Sequence, residues 1–252
     1  KHLAPSFRIA HMTSQERRRL NLLCLHGHGG SAAKLCGQLD TTFLRDVARQ
    51  NGGPLLEVTC RCVDAPFPEP SRRSDGRQWW RYDQDGRGDR PEDWAEMEIA
   101  ATRIAEELDA PAEPYDGVLG FSQGAEMVHT IAVLAHRGDP RFSGPRAPKF
   151  GVSLSGAVNP GHFEAQGAGG PPEGCVGPRA GPGSSALGWP LLFVGDFDTD
   201  GWYSTTRFEE TLGLYADATR VEHAQQHAVP ALGDEAVAAA RRFFSRFAAG
   251  TS

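Results

Sequence analysis

Ser122 stands at the centre of Gly120-Phe121-Ser122-Gln123-Gly124, a G-x-S-x-G pattern that follows the apolar run Gly117–Phe121 and opens a helical pattern reaching about Ala135. At a strand-to-helix junction this pattern has a mechanical meaning. The turn is so sharp that the serine is strained, the flanking glycines leave room for strand and helix, and the hydroxyl projects past the carboxyl end of a sheet. The bland alternative, a small-residue turn, requires neither the strand before nor the helix after. A serine hydroxyl is a poor nucleophile at neutral pH; it needs a base to take its proton, and the base needs a carboxylate to fix its tautomer.

The expected chain order is Ser, Asp, His. The apolar run Leu191–Val194 leads into Gly195-Asp196-Phe197-Asp198-Thr199-Asp200, which offers three aspartates, and Ala218–Val221 leads into His223-Ala224-Gln225-Gln226-His227. His227 is the better base, because it lies deeper in its loop, just before Pro230 and the last helix, whereas His223 closely follows the strand. Isolated histidines are more often structural, so His129, His136 and His162 receive no role. A developing oxyanion needs two backbone donors. The amide of Gln123, after the nucleophile, supplies one; His26-Gly27-His28-Gly29-Gly30, after the first apolar run, supplies the other through the amide of His28.

Other chemistries fit less well. Gly27-x-Gly29-x-x-Ala32 after a strand imitates a dinucleotide fingerprint, but the required acid at the end of the second strand is missing: Asp46 falls in a helical stretch, and the second strand ends at Cys60–Cys62. No P-loop Gly-Lys-Ser/Thr is present. Asp83-x-Asp85-x-Arg87-Gly88 begins like a calcium loop, yet its fifth position is Arg and its twelfth, Trp94, offers no carboxylate. Cys60 and Cys62 share a strand face without matching metal ligands and read as small buried residues. Neither a cofactor nor a metal is expected.

These residues must be positioned by strands at Leu20–Leu25, Leu55–Cys62, Gly117–Phe121, Phe150–Leu154, Leu191–Val194 and Ala218–Val221. Between them lie helical patterns: one after Ser31, a possible cap; one from Pro91, with Trp94, Met97, Ala101, Ile104 and Leu108 at intervals of three and four; and others over 123–135, Trp202–Tyr215 and Glu235–Phe247. Alternating strands and helices predict an α/β fold with a mostly parallel sheet covered on both faces.

The chain has 252 residues, 30 Gly and 18 Pro, with fifteen of those 48 inside Pro160–Pro190. One domain over 12–252, carrying a long Gly/Pro-rich insertion, accounts for this unevenness. Residues 1–11 read as a vector-derived or disordered leader, with His11-Met12 resembling a cloning scar. A net charge of −6, with basic and acidic residues mixed, argues against a nucleic-acid partner. No apolar run approaches membrane-spanning length and the N-terminal twenty residues lack a signal core. Five cysteines, Cys24, Cys36, Cys60, Cys62 and Cys175, form an odd, sparse set that suits reduced thiols and a cytoplasmic location.

With these residues in place, the chain resembles the family of serine hydrolases (FSH) group of the α/β-hydrolase superfamily, which includes fungal polyketide-releasing thioesterases and the ovarian-cancer-associated serine hydrolase. The likeness runs from about Leu20 to Phe247. It rests on Leu23-Cys24-Leu25-His26-Gly27, Asp64-Ala65-Pro66-Phe67, Trp79-Trp80, Gly120-Phe121-Ser122-Gln123-Gly124-Ala125, Gly195-Asp196-Phe197-Asp198, and His227 followed by Pro230. Each motif alone is weak; six in the family's order are strong. The resemblance implies an α/β-hydrolase fold, hydrolysis of esters or thioesters without a cofactor, and Asp198 as the acid, because related hydrolases carry it in a Gly-x-x-Asp turn. Asp196 and Asp200 are then left to cap that turn. Two departures stand out: Gln225-Gln226 replace the Gly-Gly that members commonly carry before the histidine, and Pro160–Pro190 is longer than usual.

The expectation is therefore a serine hydrolase with triad Ser122, Asp198 and His227, cleaving a small-molecule acyl ester or thioester. Trp79 and Trp80 are candidates to line an acyl pocket, or equally to anchor a long loop. The 160–190 insertion, between nucleophile and acid, is expected to cover the site. Alternatives are a thioesterase acting on coenzyme A or on an acyl carrier protein, and a hydrolase-fold small-molecule receptor with slow turnover.

Overall fold

Strands buried on both faces read as unbroken apolar runs, since neither side meets water. A computed structural model describes residues 17–48, 55–69, 71, 74–81, 91–158 and 187–251. Its strands are β1 (Arg17–Leu25), β2 (Leu55–Val63), the two-residue β3 (Phe67–Pro68) and β4 (Arg77–Gln78), β5 (Gly117–Phe121), β6 (Phe150–Leu154), β7 (Leu191–Gly195), β8 (Ala218–Glu222) and β9 (Ala249–Thr251). The helices are α1 (Ala32–Thr41), α2 (Phe43–Ala48), α3 (Pro91–Asp109), α4 (Gln123–His136), α5 (Pro140–Ser143), α6 (Thr205–Gly213) and α7 (Asp234–Ser245). The main sheet has the order β2-β1-β5-β6-β7-β8 with all neighbours parallel, and β9 runs antiparallel to the start of β1. The leader 1–11 and residues 159–186 of the insertion lie outside the described residues, as does Cys175.

Alternation along β1 sends its side chains to two cores. Leu20, Leu22 and Cys24 meet Leu35, Leu39, Phe43 and Phe243 on one face. Leu23 and Leu25 meet Met97 and Ile104 of α3 and Met127 and Ile131 of α4 on the other. The expected stripe on α3 is buried at Met97, Ala101, Ile104 and Leu108; the side chain of Trp94 lies outside the described residues. Each of these large apolar side chains, fully removed from water, contributes roughly 1.5–3 kcal/mol. No helix among the described residues is long and apolar enough to cross a membrane.

Two expectations are corrected. The helix expected from Trp202 begins only at Thr205, capped by Ser204, whose hydroxyl accepts from the amide of Arg207 at 3.3 Å. Trp202 and Tyr203 belong instead to a turn whose N–H groups are taken by Asp200. The thiols are not all reduced either: Cys36 and Cys62 form a disulfide. Parallel pairing of β2 with β1 sets Cys62 beside Cys24, on the face that α1 covers, and so brings Cys36 to it across 26 residues. Cys24 and Cys60 remain thiols.

The fold creates the site by divergence. β1 hands the chain to α1, α2 and β2 on one side, while its neighbour β5 hands it to α4 and β6 on the other. The carboxyl ends of β1 and β5 therefore open onto a crevice, the place where open α/β sheets bind ligands.

Candidate active site

Ser122 occupies the tip of the β5–α4 turn with φ 54° and ψ −121°, a region that side chains other than glycine rarely adopt. The neighbouring glycines make the turn possible. A Cβ on Gly120 would stand 2.1 Å from the carbonyl oxygen of Gly124, and one on Gly124 would stand 2.2 Å from that of Leu25. Strain at Ser122 is held in place by its own N–H donating to Leu154 at 3.0 Å and its carbonyl accepting from Ala125 and Glu126 at 2.8 and 3.1 Å.

The hydroxyl of Ser122 meets Nε2 of His227 at 2.8 Å. The other ring nitrogen, Nδ1, lies 3.1 Å from both carboxylate oxygens of Asp200. A carboxylate can only accept, so Nδ1 carries the proton and Nε2 faces the serine with a lone pair, the tautomer a general base needs. The Asp200 side chain is fully buried and that of His227 is partly exposed. Rings of Phe121, Trp202 and Tyr203 stand 5.2, 5.7 and 5.9 Å from the imidazole, with Trp202 itself 67% exposed.

The carboxylate beside His227 is thus that of Asp200, and Asp198 is exposed in the preceding turn. The cause is local. Asp196 is buried and accepts from the amides of Asp198 and Thr199 at 3.2 and 2.8 Å and from the Thr199 hydroxyl at 2.7 Å, which wraps the turn around it and points Asp198 outward. Gly201, at φ 81°, then folds the chain back so that the N–H groups of Trp202 and Tyr203 both reach Asp200 Oδ1 at 3.1 Å. The sequence signal for this was the Asp200-Gly201 dipeptide, whose glycine permits that reversal.

Asp196 also joins the two loops, accepting from the amide of Gln226 at 2.7 Å. Burial alone would raise its pKa, but the Thr199 hydroxyl and the surrounding N–H donors pull it down to about 2. The Gln225-Gln226 pair has two distinct functions. Gln226 takes φ 56°, the conformation glycine would provide, and the Gln225 amide clamps the loop by donating to the Ala231 carbonyl at 2.6 Å and accepting from its N–H at 3.1 Å. His223 Nδ1 accepts from the backbone N–H of Gln225 at 3.2 Å, and burial lowers its pKa.

The loop after β1 lies against the serine: a Cβ on Gly27 would stand 3.0 Å from Ser122 Cβ. Its later amides are committed, Gly29 to the Arg77 carbonyl at 2.9 Å and Gly30 to that of Gly27 at 3.0 Å. The His28 ring turns toward Glu69, 3.8 Å away, in keeping with a main-chain role at this position. The amide of Gln123 begins α4, where helix geometry gives it no intrahelical acceptor. His26 anchors the loop from below: Nε2 accepts from the amide of Ala65 at 3.1 Å, which leaves Nδ1 to donate to the Gly27 carbonyl at 2.8 Å. Burial lowers the pKa of this ring.

Among the described residues, Trp79 and Trp80 line no open pocket. Both are fully buried in the α3–α4 core. The buried amide of Gln123 accepts from the Trp79 N–H at 2.9 Å and donates to the Trp80 carbonyl at 2.8 Å, and the Trp79 indole donates to the His26 carbonyl at 2.8 Å. The tandem tryptophans therefore brace the Ser122 turn against the β1 loop. Arg77 supports the same junction, donating to the Ala65 and Pro66 carbonyls at 2.6 and 3.0 Å. Sequence reasoning assigned it nothing.

Comparison with known proteins agrees with this architecture. The sequence profile described as serine hydrolase (FSH1) matches residues 12–239. Esterase OVCA2 of Mus musculus is 26% identical over 244 residues, covering 87% of this chain and 93% of that protein. Its Homo sapiens counterpart is 31% identical over 147 residues, covering 52% of this chain and 62% of its own length; for the Xenopus tropicalis esterase OVCA2 the match spans 58% of that protein. Among solved structures, Zea mays acyl-protein thioesterase 2 superimposes with a TM-score of 0.57 at 19% identity, covering 91% of this chain and 94% of the other. Esterase PE8 gives 0.56 at 19% identity, covering 90% and 92%. The crevice at β1 and β5, the strained serine between its glycines and the match over 12–239 lead to one conclusion: the chain belongs to the serine hydrolase (FSH1) family and has the α/β-hydrolase fold.

Proposed function

We propose that this protein hydrolyses carboxylic ester or thioester bonds through an acyl-enzyme on Ser122. The observation that carries the reading is the continuous hydrogen-bonded path from Ser122 Oγ through His227 to Asp200. His227 takes the hydroxyl proton as Ser122 Oγ attacks the carbonyl carbon, and the resulting imidazolium is stabilised by the buried Asp200 carboxylate. The amides of His28 and Gln123 receive the oxyanion. Collapse of the tetrahedral intermediate expels the alcohol or thiol, protonated by His227; the same base then activates water to release the acid. The names of the relatives, esterases and a thioesterase, support both bond types.

Turnover of p-nitrophenyl esters and of acyl-coenzyme A thioesters by the purified protein, with fluorophosphonate labelling, tests the proposal. Multiple turnovers and labelling that disappear together in Ser122→Ala are expected. Labelling that persists in Ser122→Ala, or an ester burst that stops at one equivalent, overturns it.

A further inference from the structure

Glu126 is a carboxylic acid that the reaction above does not use. It is buried one helical turn beyond Ser122, and its N–H donates to the Ser122 carbonyl at 3.1 Å. Its Oε1 accepts the hydroxyl of Tyr203. Tyr203 in turn donates its backbone N–H to Asp200 Oδ1 at 3.1 Å, and its ring lies 5.9 Å from that of His227. A closed circuit results: Ser122 to Glu126 through α4, Glu126 to Tyr203 to Asp200 by hydrogen bonds, and Asp200 through His227 back to Ser122.

We propose that Glu126 is a positioning residue whose carboxylate holds Tyr203, and through it the turn that presents Asp200 to His227. The inference rests on the triad reading above. Geometry makes the link useful. The Asp200–Ser204 turn belongs to no helix or strand, and a side-chain tie to the nucleophile helix keeps acid and nucleophile in one frame. Positional errors below an ångström matter to such a path.

The tie depends on charge. Among the described residues, the titratable or charged groups facing Glu126 are Tyr203 from the acid turn and Arg207 from α6, whose guanidinium lies 5.9 Å from the Tyr203 ring and donates to the Val158 carbonyl at 2.9 Å. On its own helix, His129 is engaged by Tyr215 and Ser153 at 2.7 and 3.1 Å, and burial holds its pKa down at about 4. The His227 ring lies 5.9 Å from the Tyr203 ring. Burial pushes Glu126 up to about 7, against the Tyr203 hydrogen bond and the Arg207 charge. Above that pH the Tyr203 bond is charge-assisted; below it the carboxyl is neutral and the bond weakens.

The experiment measures kcat and KM for a p-nitrophenyl ester across the acid and neutral range for the full chain and for Glu126→Leu, Tyr203→Phe, Glu126→Gln and Ser122→Ala. Glu126→Leu and Tyr203→Phe are expected to lower kcat about tenfold at alkaline pH with KM within about twofold, as loss of positioning does. Glu126→Gln retains an acceptor for Tyr203 but no charge, so its alkaline kcat falls to the level the neutral carboxyl supports, between wild type and Glu126→Leu, and its acid limb falls with the loss of about one proton where the wild type approaches two. Wild-type kcat in Tyr203→Phe, which removes one oxygen and leaves the fold intact even if Glu126→Leu does not fold, overturns the proposal. So does a wild-type acid limb in Glu126→Gln. Either result beside an inactive Ser122→Ala removes this inference alone, whereas turnover surviving in Ser122→Ala removes the triad reading and this inference with it.

Discussion

Asp200 presents both carboxylate oxygens to Nδ1 of His227 at 3.1 Å, and its Oδ1 also accepts the N–H groups of Trp202 and Tyr203. An anion so held fixes the imidazole tautomer and stabilises the imidazolium. Asp200→Asn is expected to lower kcat about a thousandfold or more while leaving KM little changed. Asp198→Asn, at an exposed carboxylate, should stay within about twofold of wild type. Steady-state kinetics on one ester decide between them, and the reverse order would return the acid role to Asp198.

Asp196 gives stability a defined acid dependence. Its folded pKa, about 2, lies below the ordinary 3.8, so its contribution is complete above that ordinary value and is lost as pH falls through the folded one. The contribution is about 2 kcal/mol. Asp196→Asn should destabilise the protein by that order at neutral pH, and the gap in denaturant midpoint should close near pH 2. A gap that is constant with pH would assign the loss to packing.

The two glutamines before His227 should respond in opposite directions. Gln226 sits at φ 56°, where a Cβ costs about 1 kcal/mol or more. Gln226→Gly relieves this and, after the entropy glycine adds to the unfolded chain, should be neutral or stabilising by up to about 1 kcal/mol. Gln225→Ala removes both hydrogen bonds to Ala231 and should destabilise by about 1–2 kcal/mol. Thermal unfolding of the two variants checks the pair.

The disulfide between Cys36 and Cys62 closes a 26-residue separation that contains the link from α1 to β2. Loop-closure entropy puts its contribution at about 3.5 kcal/mol. Dithiothreitol should lower the melting temperature of the wild type and leave that of Cys36→Ser unchanged. Thiol titration of the denatured, unreduced protein should find two fewer thiols than after reduction.

Most of the framework was legible in the residues. Continuous apolar runs mark β1, β5, β6 and β7 because a doubly covered parallel strand has no polar face, and the stripe Met97, Ala101, Ile104, Leu108 marks α3 because its period is that of a helix. The Ser122 turn was legible because only a few residue types tolerate its backbone. Less was written in the turn after β7. Three aspartates at two-residue spacing are alike in composition, and which one reaches His227 depends on where Asp196 anchors the turn and on the reversal at Gly201. Trp79 and Trp80 were equally ambiguous, since a tryptophan pair can line a pocket or fill a core. Their burial follows from the Gln123 side chain, 43 or more residues away in sequence, which takes their backbone groups.

The sequence by itself therefore determined the six parallel strands and the main helices between them, the strained serine and the loop that brings His227, because each depends on local backbone preference and on periodicity. Tertiary structure decided which aspartate meets His227, the Cys36–Cys62 bond and the Glu126–Tyr203 contact. These join residues 26 to 77 positions apart. Such partners meet only once the sheet order is set; the Asp200-Gly201 dipeptide permits a reversal but does not by itself say which aspartate the reversal carries to His227.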